Sequence, residues 1–265
     1  IKNIAQRHYL LYIIYNKYKN YIIYKEGDKM LKIINLSKSY KNKKAIDSIS
    51  MEVKKGEIFG FIGHNGAGKT TTIKSIVGIH DFEEGDILIN SKSIKEHPTE
   101  CKKDIAYIPD NPDLYEALTG IDYLNFIADV FRIDKSEREE KIKYYSEEFE
   151  VNKSLGDLIS SYSHGMKQKL AIISALIHSP KILILDEPFV GLDPKAAFTL
   201  KEIMRDFCNK GGCIFFSTHV LDVAEKICDK IAIINGGKLV ACGETQKVKG
   251  YKSLENIFME MIDHE

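Results

Sequence analysis

Gly63-His64-Asn65-Gly66-Ala67-Gly68-Lys69-Thr70 is the stretch on which the reading of this chain turns. It has the spacing G-x-x-x-x-G-K-[ST] and lies between an apolar run over residues 58–62 and a segment over residues 70–77 that reads as a helix ended by Gly78. Glycines let the backbone curl so that successive N–H groups point at phosphate oxygens, and the helix N-terminus behind them adds its positive dipole end. In such a loop Lys69 reaches the β- and γ-phosphates and the Thr70 hydroxyl joins a Mg2+ shell. His64 reads as a solvent-facing spacer.

On both sides of the loop the pattern is that of an α/β domain. Residues 31–36, Ile49-x-Met51-x-Val53 and residues 58–62 read as strands, the first of them antiparallel, and residues 86–89 and 105–108 follow. Strand signals then stop. Thr119 is placed to cap a helix in which Ile121, Leu124, Ile127, Ala128 and Phe131 share a face, and the charged residues 136–150 follow as a second helix. The α/β rhythm returns with strands at 182–185, 213–216 and 231–234, helices starting near Pro194 and Leu221, and a hairpin at Asn235-Gly236 leading into 239–241. No repeats or low-complexity linkers interrupt it, so a single domain with two lobes is expected.

A second site signal is Ile182-Leu183-Ile184-Leu185-Asp186-Glu187, an apolar strand ending in two acids. The carboxyl end of a parallel strand is where ligands gather in such sheets. Asp186 is suited to hold Mg2+, directly or through water, and Glu187, one residue beyond the strand, is suited to accept a hydrogen bond from an attacking water.

Composition narrows the partners. The 38 basic and 38 acidic side chains cancel, which gives no global attraction to nucleic acid or an anionic bilayer. The five cysteines, Cys101, Cys208, Cys213, Cys228 and Cys242, are odd in number and form no C-x-x-C pair, so they read as reduced structural thiols. No apolar run approaches the roughly 20 residues needed to span a bilayer. Residues 1–29, rich in Ile, Lys, Asn and Tyr, read as an N-terminal extension, not native or without order, or else as an extra element packing through Leu10 to Tyr15.

A phosphate loop and an acid-tipped strand are common to many NTPases; the remaining motifs are more specific. Tyr40 stands ahead of the loop, Ser163-His164-Gly165-Met166-Lys167-Gln168 precedes the acid strand, Gly191-Leu192-Asp193 follows it, and His219 follows the next strand. With these, the chain resembles ABC ATPases over nearly all of residues 30–265. The resemblance implies a mixed sheet core with an antiparallel β subdomain and a helical insert, divided as an ATP-binding core over 30–110 and 171–245, a helical subdomain over 111–170 and a C-terminal helix over 246–265. It implies ATP bound by Tyr40, Gly63, Asn65, Gly66, Ala67, Gly68, Lys69, Thr70 and Thr71, with Tyr40 stacking on adenine. Mg2+ would be held by Thr70, Asp186 and Asp110, and catalysis carried by Glu187 and His219. Ser163, His164 and Gly165 would meet the γ-phosphate bound by a second subunit, and Asp193 would couple the two sites of that homo- or heterodimer.

Departures from the family pattern are Tyr162, His164 and Met166 in the signature segment, which otherwise keeps its serine and second glycine. A further one is Asp110 after Tyr107-Ile108-Pro109, where a glutamine is usual. Asp110 reads equally as a metal ligand or as a turn residue before Asn111-Pro112. The resemblance further implies an ATPase that energises export with a separate transmembrane permease, peripheral on the cytoplasmic face of the membrane and without a nucleic-acid partner. Soluble relatives in translation or DNA repair usually carry two cassettes or a long coiled coil, and neither is seen. A binding module that switches without turnover is disfavoured by Glu187, and a kinase or GTPase by the missing companion motifs.

Overall fold

The computed structural model describes residues 29–41 and 43–263. The expected extension over residues 1–29 therefore lies outside the described residues except at Lys29, which opens the first strand and pairs with Glu52 at 2.7 Å.

Strands β1 (Lys29–Tyr40) and β2 (Lys43–Lys54) form a long antiparallel hairpin with Tyr40 at its tip. β3 (Ile58–Ile62) leads through the glycine loop into α1 (Lys69–Ile76). β4 (Glu84–Ile89) and β5 (Lys92–Ser93) complete a four-stranded antiparallel sheet of order β2-β1-β4-β5. After α2 (Pro98–Asp104) and β6 (Ile105–Ile108) come α3 (Gly120–Val130), α4 (Lys135–Glu148) and α5 (His164–Leu176). The chain then alternates β7 (Ile182–Asp186), α6 (Pro194–Asn209), β8 (Cys213–Thr218), α7 (Leu221–Ile227) and β9 (Lys230–Asn235). It ends with β10 (Lys238–Glu244), α8 (Thr245–Lys249) and α9 (Leu254–Asp263).

The second sheet has the order β10-β9-β3-β8-β7-β6, parallel except for β10. Its central strands are apolar throughout because both faces are covered. Alternate residues go to opposite cores: Ile58, Leu183, Leu185, Ile214 and Phe216 face the helices of the insert and α6, while Phe59, Phe61, Ile184 and Phe215 face α1 and the antiparallel sheet. Phe215 stacks on Phe59 at 5.6 Å and lies 5.3 Å from Phe61. This packing holds the carboxyl ends of β3, β8 and β7 side by side, with β8 between the two motif-bearing strands.

Three expectations change. The C-terminal helix expected over 246–265 is two helices, because Gly250 at φ 56° breaks the chain between α8 and α9. The boundary expected between residues 170 and 171 falls inside α5, which runs unbroken from the insert to the core. Phe131 does not share the buried face of α3: the helix ends at Val130, and Phe131, 37% exposed, turns to stack on His178 at 3.8 Å while Tyr123 is buried. Thr119 does cap α3, accepting from the Asp122 N–H at 3.2 Å. Cys101, Cys208, Cys213 and Cys228 are buried free thiols and Cys242 is an exposed one.

Candidate active site

The loop after β3 is shaped by close approaches that only glycine permits. Gly68 has φ 114°, and a Cβ there would lie 2.7 Å from the Ala45 carbonyl; Gly63 packs so tightly on β9 that a Cβ would meet the Ile234 carbonyl at 2.7 Å. Lys69, buried, folds back across the loop and donates to the carbonyls of Gly63 (2.7 Å) and His64 (3.3 Å). Its ammonium is thus held at the floor of the curl, where phosphate charge would sit.

A cavity of about 600 Å3 opens above the loop. It is lined by Tyr40, Asn65, Gly66, Gly68, Lys69, Thr70 and Thr71 together with Asp110, Asp186 and Glu187. Gly63 and Ala67 do not line it: both are buried beneath the curl, where they seat the loop on β9. His64 is exposed, with its ring Nε2 3.0 Å from the Asn235 side-chain oxygen. Residues not anticipated also line the cavity: Lys43 and Lys44 beyond the hairpin tip, and Gly236 and Gly237 from the β9–β10 turn. Gly237 donates to the Ala67 carbonyl at 3.0 Å, so this turn, legible in the sequence only as a hairpin, supports the phosphate loop.

Asp186 ends β7 almost fully buried. Burial pushes its carboxyl above the ordinary carboxylate range, hydrogen bonds from Ser217 and Thr70 pull it back, and the charges of Glu187 and Asp110 push it further up. Such a carboxylate gains from a cation. The oxygen donors of Thr70 and Asp186 fit Mg2+, a metal that takes one or two protein ligands and fills its octahedron with water and phosphate oxygens. Among the described residues no group of three or more His, Cys, Asp or Glu is placed to hold a metal ion. Asp110 is exposed on the same cavity wall and also acts on Tyr107, whose hydroxyl is pushed up to about 12, chiefly by burial.

Glu187 is nearly buried and adopts φ 49°, a left-handed backbone that costs a non-glycine residue on the order of 1 kcal/mol. Two hydrogen bonds hold its N–H to Ser217, one to the hydroxyl and one to the carbonyl, both 3.2 Å. Its Oε2 accepts from the His219 N–H at 3.3 Å. Its Oε1 lies 3.5 Å from the Lys69 ammonium and 2.9 Å from His219 Nδ1. The latter approach is off the line of a hydrogen bond, so Oε1 retains an unused acceptor site. Ser217, on the neighbouring strand β8, contacts both acids, donating to Asp186 and accepting from the Glu187 N–H; its place two residues before His219 is the signal the sequence offers for it.

The signature segment lies apart. Ser163 caps α5, accepting from the Met166 N–H at 3.2 Å. Tyr162 is buried and donates to the Ser154 carbonyl at 2.5 Å, so this departure anchors the segment from below. Gly165 packs against the Gly191 carbonyl, His164 covers Gly191, and Asp193 caps α6 while pairing with Lys169 of α5 at 2.8 Å. None of Ser163, His164, Gly165 and Asp193 lines the cavity of their own chain.

A phosphate loop and an acid-tipped strand, with one parallel strand between them, define a P-loop ATPase. The insert that presents a serine-capped helix places it further. The chain belongs to the ABC transporter family, whose profile matches residues 46–190, over half of its length, and it is an ATP-binding subunit with ATPase activity. It is 34% identical over 237 residues to the ABC-type transporter ATP-binding protein EcsA of Bacillus subtilis, covering 88% of this chain and 96% of that one. It is 33% identical over 214 residues to the linearmycin resistance ATP-binding protein LnrL of the same organism, covering 81% of this chain and 69% of that one. A solved ATP-binding subunit of an ABC transporter superposes with a TM-score of 0.85 at 34% identity, covering 88% of this chain and 99% of the other. CbiO1 of Clostridium perfringens, part of the cbiONQ complex, does so at 0.74 and 26%, covering 89% and 98%.

Proposed function

We propose that this subunit hydrolyses ATP with Mg2+ to drive export through a separate transmembrane permease, as a peripheral protein on the cytoplasmic face of the membrane. The observation that carries the chemistry is the single cavity joining Lys69, Thr70, Asp186 and Glu187. In this reading Lys69 and the loop N–H groups hold the phosphates, and Thr70, Asp186 and Asp110 hold Mg2+, which when bound offsets phosphate charge. The unused acceptor of Glu187 takes a hydrogen bond from the attacking water, and His219 orients the γ-phosphate. Tyr40 stacks on adenine.

The Ser163 helix end lies outside its own cavity, which supports a head-to-tail dimer, homo- or heteromeric, in which it meets the other subunit's nucleotide. We read residues 30–110 and 171–245 as the ATP-binding core and 111–170 as the lobe that responds to the permease. Among the described residues no helix is long and apolar enough to cross a membrane; in this reading the channel is supplied by the permease. The resistance role named for LnrL supports export, and the balanced charge argues against nucleic acid. The test is reconstitution with the co-purifying membrane protein: a polypeptide of about six spans that stimulates ATP turnover in vesicles is expected. Turnover indifferent to any membrane partner contradicts the reading.

A further inference from the structure

Tyr40 sits at a hairpin tip, 45% exposed, in register with Lys43 of the paired strand. Further contacts come from the loop that follows α1. His80 meets the Tyr40 ring edge-on, with centroids 6.0 Å apart and planes at 79°. Glu83 grips the backbone and side chain beside it, accepting from Lys38 Nζ at 2.9 Å and from the Ser39 N–H at 2.8 Å, while the Glu83 N–H donates to the Ser37 carbonyl at 3.2 Å. Lys38 Nζ in turn lies 5.5 Å from the Tyr40 ring centroid.

The loop is itself fastened to the phosphate-binding helix. The N–H groups of Ile79 and His80 both donate to the Lys74 carbonyl, at 2.9 and 3.1 Å. A continuous path therefore runs from the glycine loop along α1 to His80 and Glu83 and on to Tyr40.

We propose that His80 and Glu83 are positioning residues of the nucleotide site, holding Tyr40 with its ring set along the cavity before the base arrives and tying that platform to α1. The inference rests on the reading of Tyr40 as the base-stacking residue. An aromatic ordered in advance spares the side-chain ordering that binding otherwise costs, and an edge-to-face partner adds to the ring's fixity. Among the described residues the His80 ring meets the Tyr40 ring, so truncating the side chain is expected to act on base binding rather than on the phosphates.

The test compares Tyr40→Ala, His80→Ala, His80→Phe and the Tyr40→Ala/His80→Ala double variant. Binding is measured with N-methylanthraniloyl-ATP displaced by ATP, and in parallel by inorganic tripolyphosphate, which offers phosphates without a base. His80→Ala is expected to weaken ATP about fivefold with tripolyphosphate affinity unchanged, and His80→Phe to restore it. In the Tyr40→Ala background His80→Ala should add nothing. If Tyr40→Ala weakens ATP and His80→Ala does not, the positioning role alone is overturned. Equal loss of ATP and tripolyphosphate in His80→Ala also overturns it, by showing a general effect on the loop. Unchanged ATP affinity in Tyr40→Ala removes the stacking reading and the inference with it.

Discussion

His219 and Glu187 touch twice: the His219 N–H donates to one carboxylate oxygen at 3.3 Å, and the ring Nδ1 stands 2.9 Å from the other. The pair joins the end of β8 to the turn after β7, so the acid expected to face the attacking water is oriented by the residue expected to read the γ-phosphate. In the proposed function this double contact would couple the roles of the two residues. His219→Ala should therefore lower kcat by about 10- to 100-fold while leaving ATP binding within a few-fold, measured by steady-state turnover beside equilibrium binding. Equal turnover in the variant would sink the linkage.

Among the described residues Lys69 is buried and bonded to loop carbonyls and to the edge of Glu187. In the proposed function removing its charge takes away the cation that would meet the phosphates. Lys69→Ala is expected to weaken ATP by about 100-fold or more, seen as loss of the ATP-induced rise in Tm.

Asp110 shares a cavity wall with Asp186 and adds to the upward push on that carboxyl. As a metal ligand, direct or through water, it should set the Mg2+ requirement. Asp110→Gln is expected to move the half-saturating Mg2+ concentration for turnover by about threefold or more. An unchanged profile would return Asp110 to the role of a turn residue.

Gly165 has no room for a side chain, since a Cβ would sit 2.8 Å from the Gly191 carbonyl. Gly165→Ala must displace either α5 or the turn that carries Asp193. Because neither lines the cavity of its own chain, ATP affinity of the isolated subunit should persist while turnover of the assembled dimer falls about 10-fold or more. Parallel loss of both would show that the segment acts within one subunit.

His178 lies against Phe131 with Nε2 3.4 Å from the Ile105 carbonyl, and burial holds its pKa below the ordinary imidazole value despite backbone hydrogen bonds. Above about pH 6.5 both folded and unfolded chains carry it neutral. As pH falls further the unfolded chain takes up a proton that the folded chain refuses, so stability is lost with acidity until the depressed folded pKa is passed. His178→Gln should flatten the fall of Tm with acidity below about pH 6.5 relative to wild type.

Much of this was legible in the sequence because the relevant forces are local. The curl at Gly63 to Lys69, the apolar strand ending in Asp186, the cap at Thr119 and the helix start near Pro194 each follow from short patterns with their own physical cause. What was not legible depends on residues distant in the chain. Ser217 bonds to Asp186 across neighbouring strands, Gly237 supports Ala67 from 170 positions away, and His80 reaches Tyr40 from the loop after α1. The fate of Phe131 was decided by one residue of helix length, which periodicity does not resolve. The break at Gly250, with φ 56°, is a local signal of the kind that divides a helix, and the expectation of one C-terminal helix did not use it.

The central claim is that Glu187 activates the water that cleaves ATP. The most direct measurement is steady-state ATP turnover by wild type and Glu187→Gln, each with its membrane partner present and with ATP binding measured on the same samples. A fall in kcat of about 100-fold or more with ATP affinity retained is predicted. Equal turnover by the two proteins would contradict it.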